Sequence, residues 1–88
     1  MELLWSTTTK NTRTVNADFS KYDKFLCFIH DGYSQNVLFP VLVFSKNVKY
    51  TNGGWYGNNW FSCTFTDSSA TCNNYNGLDG FIQIWGLE

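Results

Sequence analysis

The sequence carries little charge, and that charge follows no pattern. Only 15% of the 88 residues are charged, and the formal net charge is −1. The six Lys and Arg residues are scattered, so they form no basic stripe that could follow a phosphate backbone. We therefore expect no nucleic-acid partner.

Long apolar runs are also missing. The longest, residues 37–44, is interrupted by Pro40 and falls far short of the roughly 20 residues of a membrane helix. The N-terminus lacks the basic region and small-residue cleavage site of a signal peptide. We expect neither membrane insertion nor export by that route.

Cysteine and histidine are too few for the common metal centres and disulfide frameworks. The three cysteines cannot all pair within one chain, and their spacing matches no CxxC pattern. Cys27 and Cys63 alternate with apolar residues, so we predict both to be small buried hydrophobes. A bridge between Cys63 and Cys72 across a hairpin is left open. We expect no cofactor and no metal site.

Aromatic residues are abundant instead, at 19% of the chain, and helical periodicity is absent. The chain reads as short β-rich runs between Asn, Gly, Ser and Asp clusters, the pattern of a single all-β domain over residues 1–88. We predict an antiparallel sandwich or barrel, jelly-roll-like or Greek key, of about eight strands. Their predicted bounds are residues 2–6, 12–17, 24–30, 37–45, 48–51, 60–66, 70–73 and 81–87.

Turn-forming residues separate these strands. We predict turns at Asp31-Gly32, Asn52-Gly53-Gly54, Asp67-Ser68-Ser69 and Asn76-Gly77, where the side chains tolerate positive φ or bond their own backbone.

The predicted strands differ in how many apolar faces they have. Residues 60–66 alternate cleanly between apolar and polar positions, as in a strand with one face in water. Residues 24–30 are apolar on both faces, with Phe25, Cys27 and Ile29 on one and Leu26 and Phe28 on the other. Either a curved sheet wraps over itself, or another copy or domain covers the second face.

Three short motifs give the chain a family resemblance. They are Leu3-Leu4-Trp5 at the start, a turn at residues 18–23 with the sequence DFSKYD, and a closing strand at residues 82–87 with the sequence IQIWGL. The chain resembles a small β-domain near the C-termini of tail and minor structural proteins of phages of Gram-positive bacteria. In that family an "LLW" opening, a "DLS-x-YD" turn and an "I-x-IYGI" closing strand recur.

The resemblance implies a location and an assembly state. The chain would be one module of a longer virion protein, assembled in the bacterial cytoplasm, where reduced thiols are expected. Phage fibre and tail-tip proteins are commonly homotrimers, so a trimer is the favoured homo-oligomer. The resemblance also implies that Tyr22 packs against the sheet, and Phe19 replaces the more usual leucine.

For the residues that could act in catalysis, a structural role is the stronger explanation. His30 and Asp31 are adjacent on a strand, so their side chains should diverge and not form a base with its orienting carboxylate. Asp18 and Asp23 flank one turn, but Asp18 and Ser20 suit capping of a single helical turn that orients Tyr22. We expect no catalytic residues.

A glycine-rich run, residues 52–60, concentrates aromatic and amide side chains. It lacks the lysine and the helix of a phosphate-binding loop. Aromatic rings stack on sugars and Asn side chains bond sugar hydroxyls, so a glycan or partner site is one interpretation. An ordinary hairpin clamped by its tryptophans is the other. The candidate ligand-binding residues are Trp55, Tyr56, Asn58, Asn59, Trp60 and Tyr75.

Three functions are carried forward. The first is a non-enzymatic phage tail or fibre domain for tail-tip structure and recognition of a host-surface glycan or protein. The second is a stand-alone carbohydrate-binding module, for which a monomer would suffice. The third is a free-standing small phage protein that binds and inhibits a host protein through its aromatic loop.

Overall fold

The protein consists of β-strands joined by short connections. The computed structural model describes residues 1–9, 11–31, 38–47, 50–55, 59–75 and 78–88, with the backbone alone for 30–31, 38–42, 50–55, 59–62, 73–75 and 78–79. The strands are β1 Glu2–Ser6, β2 Thr14–Asn16, β3 Lys24–Asp31, β4 Leu38–Ser45, β5 Tyr50–Trp55, β6 Asn59–Phe65, β7 Ser69–Tyr75 and β8 Leu78–Leu87.

These strands form two four-stranded antiparallel sheets. The first sheet has the order β1-β8-β3-β4 and the second the order β2-β7-β6-β5. The strands nearest the two termini therefore pair with each other, and β2 pairs with the strand that precedes the last. Both sheets contribute to one buried core. The expected all-β fold is confirmed in its sandwich form, as two packed sheets and not a closed barrel.

Each predicted strand overlaps an observed one. Of the predicted turns, one is observed and one is wrong. Asp67 and Ser68 form the expected turn, and the hydrogen bond from Thr66 N–H to the Ser69 carbonyl closes it at 2.8 Å. The predicted turn at Asn52-Gly53-Gly54 is wrong, because these residues lie inside β5. The β5–β6 register shifts between Gly53 and Trp55. Glycine in a strand often accompanies such a bulge.

The other turns are only partly described. Asp31 is the last residue of β3 and not part of a turn, and Gly32 lies outside the described residues. Asn76-Gly77, between β7 and β8, also lies outside them.

Phe65 joins the two sheets. This residue of β6 is fully buried, and its ring stacks on Phe25 of β3 with centroids 4.4 Å apart and planes 7° apart. Phe19, Phe44 and Phe81 surround it, with centroids between 5.5 and 6.0 Å away. Edge-to-face and offset contacts of this kind add to the hydrophobic contribution of each ring. The Phe65 side chain of the second sheet thus contacts rings on three strands of the first sheet, β3, β4 and β8. It also contacts the Phe19 ring, in the segment that leads into β3.

Alternation along β6 follows from this packing. Cys63 and Phe65 are buried, while Thr64 and Thr66 are half-buried on the other face. The prediction of one wet face is therefore confirmed for this part of the strand.

Removing the Phe65 ring should destabilise the fold severely. Phe65→Ala should lower the free energy of unfolding by about 3–5 kcal/mol, because it leaves a cavity where four other rings meet. Val43→Ala is the control, since Val43 is half-exposed and its truncation should cost less than about 1 kcal/mol. Urea unfolding followed by circular dichroism measures both. Equal costs for the two variants would contradict the role given to Phe65.

Candidate functional site

The outer face of the first sheet carries an apolar row across all four strands. Leu3 of β1 lies opposite Trp85 of β8, Trp85 opposite Leu26 of β3, and Leu26 opposite Val43 of β4. Directly opposite residues of antiparallel strands share a face and contact each other. We call these four residues, Leu3, Trp85, Leu26 and Val43, the apolar row.

The apolar row faces away from the second sheet. Its members alternate with buried neighbours, since Phe25 and Cys27 flank Leu26 and Phe44 follows Val43. Leu3 and Val43, at the two edges, are 44% and 50% exposed. Leu26 and Trp85 are half-buried between them.

Two further observations extend this face. Phe28 is half-buried two residues after Leu26, as expected for a strand with two apolar faces. The Trp85 indole N–H donates to Gln83 Oε1 at 2.9 Å. Since Gln83 is two residues from Trp85, this bond satisfies the polar atom of the indole within the same strand and leaves the ring as apolar surface.

The turn at residues 18–23 and the closing strand at residues 82–87 meet at one edge of the sandwich, beside the start of β1. A Cβ atom at Gly86 would lie 2.5–2.7 Å from the Tyr22 ring, so the ring packs directly on the glycine backbone. The Tyr22 hydroxyl donates to Glu2 Oε1 at 2.6 Å, and Glu2 itself lies opposite Gly86 in the β1–β8 ladder. This hydrogen bond, with burial, raises the pKa of Tyr22 to about 12. The packing role that the resemblance implies for Tyr22 is the role observed.

The turn before Tyr22 is fixed by local bonds. The Ser20 backbone N–H donates to Asp18 Oδ1 at 2.9 Å, and the Ser20 hydroxyl donates to the same oxygen. These bonds lower the pKa of Asp18. Tyr22 N–H donates to the Phe19 carbonyl at 3.4 Å, which closes a single turn. Asp18 therefore caps this turn, as predicted.

A lysine that directly follows β4 contacts the same turn. Lys46 Nζ lies 2.8 Å from Asp67 Oδ1 and 3.4 Å from the Ser20 carbonyl, which accepts from it. The Lys46 side chain is 10% exposed, so this ion pair is partly shielded from water on one side. No sequence pattern singled out Lys46 because its partners are distant along the chain.

Four of the six predicted ligand-binding residues have a described backbone, and they lie at one end of the second sheet. The β5–β6 register places Trp55 opposite Asn59, and the β6–β7 register places Trp60 opposite Tyr75. Their side chains, and all of Tyr56 and Asn58, lie outside the described part of the chain. The backbone therefore brings four of the six candidates together as cross-strand neighbours.

An open cleft beside Tyr22 has a volume of about 370 Å³. Its lining mixes two lysines with two carboxylates and so favours neither an anion nor a cation. The lining residues are Lys21, Tyr22, Asp23, Lys24, Leu87 and Glu88.

Among the residues that the structure describes, no three His, Cys, Asp or Glu side chains are grouped so that they could hold a metal ion. His30 and Asp31 belong to β3, with a register shift against β8 between them, and their side chains are outside the described set.

The fit of Tyr22 on Gly86 can be tested by a double-mutant cycle. Gly86→Ala should lower the free energy of unfolding by about 1–3 kcal/mol, because the new methyl group overlaps the Tyr22 ring. Gly86 does not have a positive φ, so the alanine backbone itself is tolerated. In a Tyr22→Ala background the same change should cost less than about 1 kcal/mol. An unchanged cost in that background would refute the contact.

Comparisons with known proteins identify no relative. No family model, no curated protein and no solved structure matches the chain. Within the described residues no helix is long and apolar enough to cross a membrane.

Proposed function

We propose that the protein is a non-enzymatic domain of a phage tail that assembles with further copies of itself through the apolar row. The observation that carries this proposal is the row itself, because Leu3 and Val43 leave about half of their surface exposed at the two edges of one sheet. Contiguous exposed apolar surface on a small protein marks an interaction site more often than chance.

A second copy of the chain is the occupant that we favour. A row that crosses every strand of a sheet can meet the same row of other copies around a symmetry axis. A homotrimer, the state implied by the family resemblance, would bury one such face per chain around its axis. The contacts of Tyr22 with Gly86 of β8 and with Glu2 of β1 would also hold these two strands of the row in place.

Attachment to a host surface would follow from the assembly. Several weak sites on one rigid oligomer act together, so a shallow site on each chain is sufficient. In this proposal the domain is part of the virion and is assembled in the bacterial cytoplasm.

Polar replacement of the edge residues should dissociate the oligomer. Leu3→Thr with Val43→Thr removes the apolar contact but keeps side chains that suit strands. We expect light scattering to give a multimer for the unmodified chain, with a trimer favoured. The dissociation constant of the oligomer should be at least about tenfold higher for the variant. The control is Thr64→Ala with Thr71→Ala, a cross-strand pair in the second sheet. A monomeric unmodified chain, or an unaffected variant, would contradict the proposal.

A glycan site at the end of the second sheet is the second candidate. It is favoured by the β6–β7 register, which sets the aromatic residues Trp60 and Tyr75 directly opposite each other. Two directly opposite aromatic residues can offer a surface on which a sugar ring stacks, and Asn side chains can bond sugar hydroxyls.

This candidate predicts a loss of binding to cell-wall polysaccharides. Trp55→Ala with Tyr56→Ala should abolish retention on polysaccharides from Gram-positive bacteria, while Val43→Thr should leave the intrinsic affinity of each chain unchanged. Isothermal titration with the polysaccharide measures both variants. Undiminished binding by the Trp55 and Tyr56 variant would remove the site. If a monomeric chain binds the polysaccharide with full affinity, the stand-alone carbohydrate-binding module is favoured.

A further inference from the structure

The three cysteines, scattered in the sequence, lie in the core between the sheets. Cys27 of β3, Cys63 of β6 and Cys72 of β7 are each no more than 2% exposed, and all three are free thiols. The predicted burial of Cys27 and Cys63 is therefore confirmed. Cys63 and Cys72 are directly opposite each other in the β6–β7 ladder.

The hydrogen bonds on either side show which kind of cross-strand pair this is. Cys72 N–H donates to the Arg13 carbonyl at 2.8 Å, and so points away from β6. Thr66 N–H donates to the Ser69 carbonyl at 2.8 Å. Because bonded and non-bonded pairs alternate along an antiparallel ladder, three steps from that bonded pair is a non-hydrogen-bonded pair. Both observations make Cys63 and Cys72 a non-hydrogen-bonded pair.

A non-hydrogen-bonded pair brings two cysteines close enough to bond. Its Cα atoms are typically about 4.5 Å apart, with the side chains closer than in the bonded kind. A disulfide spans Cα separations of about 4.4–6.8 Å. Since both thiols are buried on the same inner face, each sulfur has the other strand's sulfur as a neighbour.

Cys27 is the other cysteine with which Cys63 or Cys72 could pair, but it belongs to the opposite sheet. Packed sheets lie about 10 Å apart. Two cysteines whose Cα atoms are more than roughly 7 Å apart cannot form a disulfide without backbone movement. The β6–β7 pair needs no such movement.

We propose that Cys63 and Cys72 form a cross-strand disulfide when the chain meets a low-molecular-weight disulfide such as oxidised glutathione. One cysteine, as thiolate, attacks a sulfur of the oxidant and releases one glutathione thiolate. The second cysteine then attacks the mixed disulfide and releases the other. The oxidant's S–S bond breaks, the Cys63–Cys72 bond forms, and the two thiol protons pass to the released glutathiones.

Burial controls when this reaction occurs. It raises the pKa of Cys72 to about 12 and that of Cys63 further above its ordinary value. Since the thiolate is the attacking species, the folded, reduced chain should oxidise slowly. The bond forms during folding or after transient opening of the β6–β7 hairpin. It would be absent in a reducing cytoplasm and stable in an oxidising exterior.

The bond would strengthen the hairpin that carries the Trp60–Tyr75 pair. It would close a loop of about ten residues around the turn at Asp67 and Ser68. The loop-entropy model then predicts an unfolding equilibrium constant lower by about a hundredfold. For a domain of this size the melting temperature should rise by roughly 10–20 °C.

The test is oxidation of the reduced full chain by oxidised glutathione, with brief exposure to mild urea to allow opening. We expect the intact mass to fall by two hydrogens and peptide mapping to join Cys63 to Cys72. Cys27→Ala is the matched control and should form the same bond. Cys63→Ala and Cys72→Ala should not form it, and the oxidised chain should melt at the higher temperature.

Three results would overturn the proposal. They are three free thiols after opening, a bridge that contains Cys27, or only glutathione adducts and linked dimers. Because mapping the unmodified chain gives the answer, the test does not depend on the variants folding. It is also independent of the proposed assembly and glycan site.

Discussion

The stack of Phe65 on Phe25 is the contact on which the rest of the sandwich depends. It joins the centre of the second sheet to the centre of the first, and Phe19, Phe44 and Phe81 complete the shell around it. An 88-residue chain buries a limited fraction of its surface, so a few large rings supply much of its core. Once these rings fill the interior, no second layer among the described residues covers the apolar side chains on the opposite face of β3 and β4.

The edge around Tyr22 fixes where the ends of the chain lie. Its ring covers Gly86 near the C-terminus and its hydroxyl bonds Glu2 near the N-terminus. Three segments that are far apart in sequence thereby become one unit. The same unit sets β1 beside β8, which aligns Leu3 with Trp85 and produces the apolar row. The Tyr22 contacts thus support the β1–β8 register in which Leu3 and Trp85 share the outer face.

The sequence predicted the strands well, because alternation is a local property. It predicted the burial of Cys63 and Phe65 in β6 and the two apolar faces of residues 24–30. It did not predict which strands pair, since register depends on distant partners, so Leu3 and Val43 were not recognised as members of one row. Glycines at 53 and 54 misled the turn prediction, because a bulged strand and a turn use the same residues. The candidate glycan site was predicted from composition alone, and the backbone register adds that four of its six residues are cross-strand neighbours.

In the proposed assembly, each chain closes its own Phe65 core while other copies cover the apolar row. A nuclear Overhauser experiment on a mixture of isotope-labelled and unlabelled chains tests both halves in one sample. We predict contacts between the Phe25 and Phe65 rings only within a chain, and contacts from the Val43 and Leu26 methyl groups between chains. Contacts between chains at Phe65, or none at Val43 at concentrations where the protein is multimeric, would contradict the account.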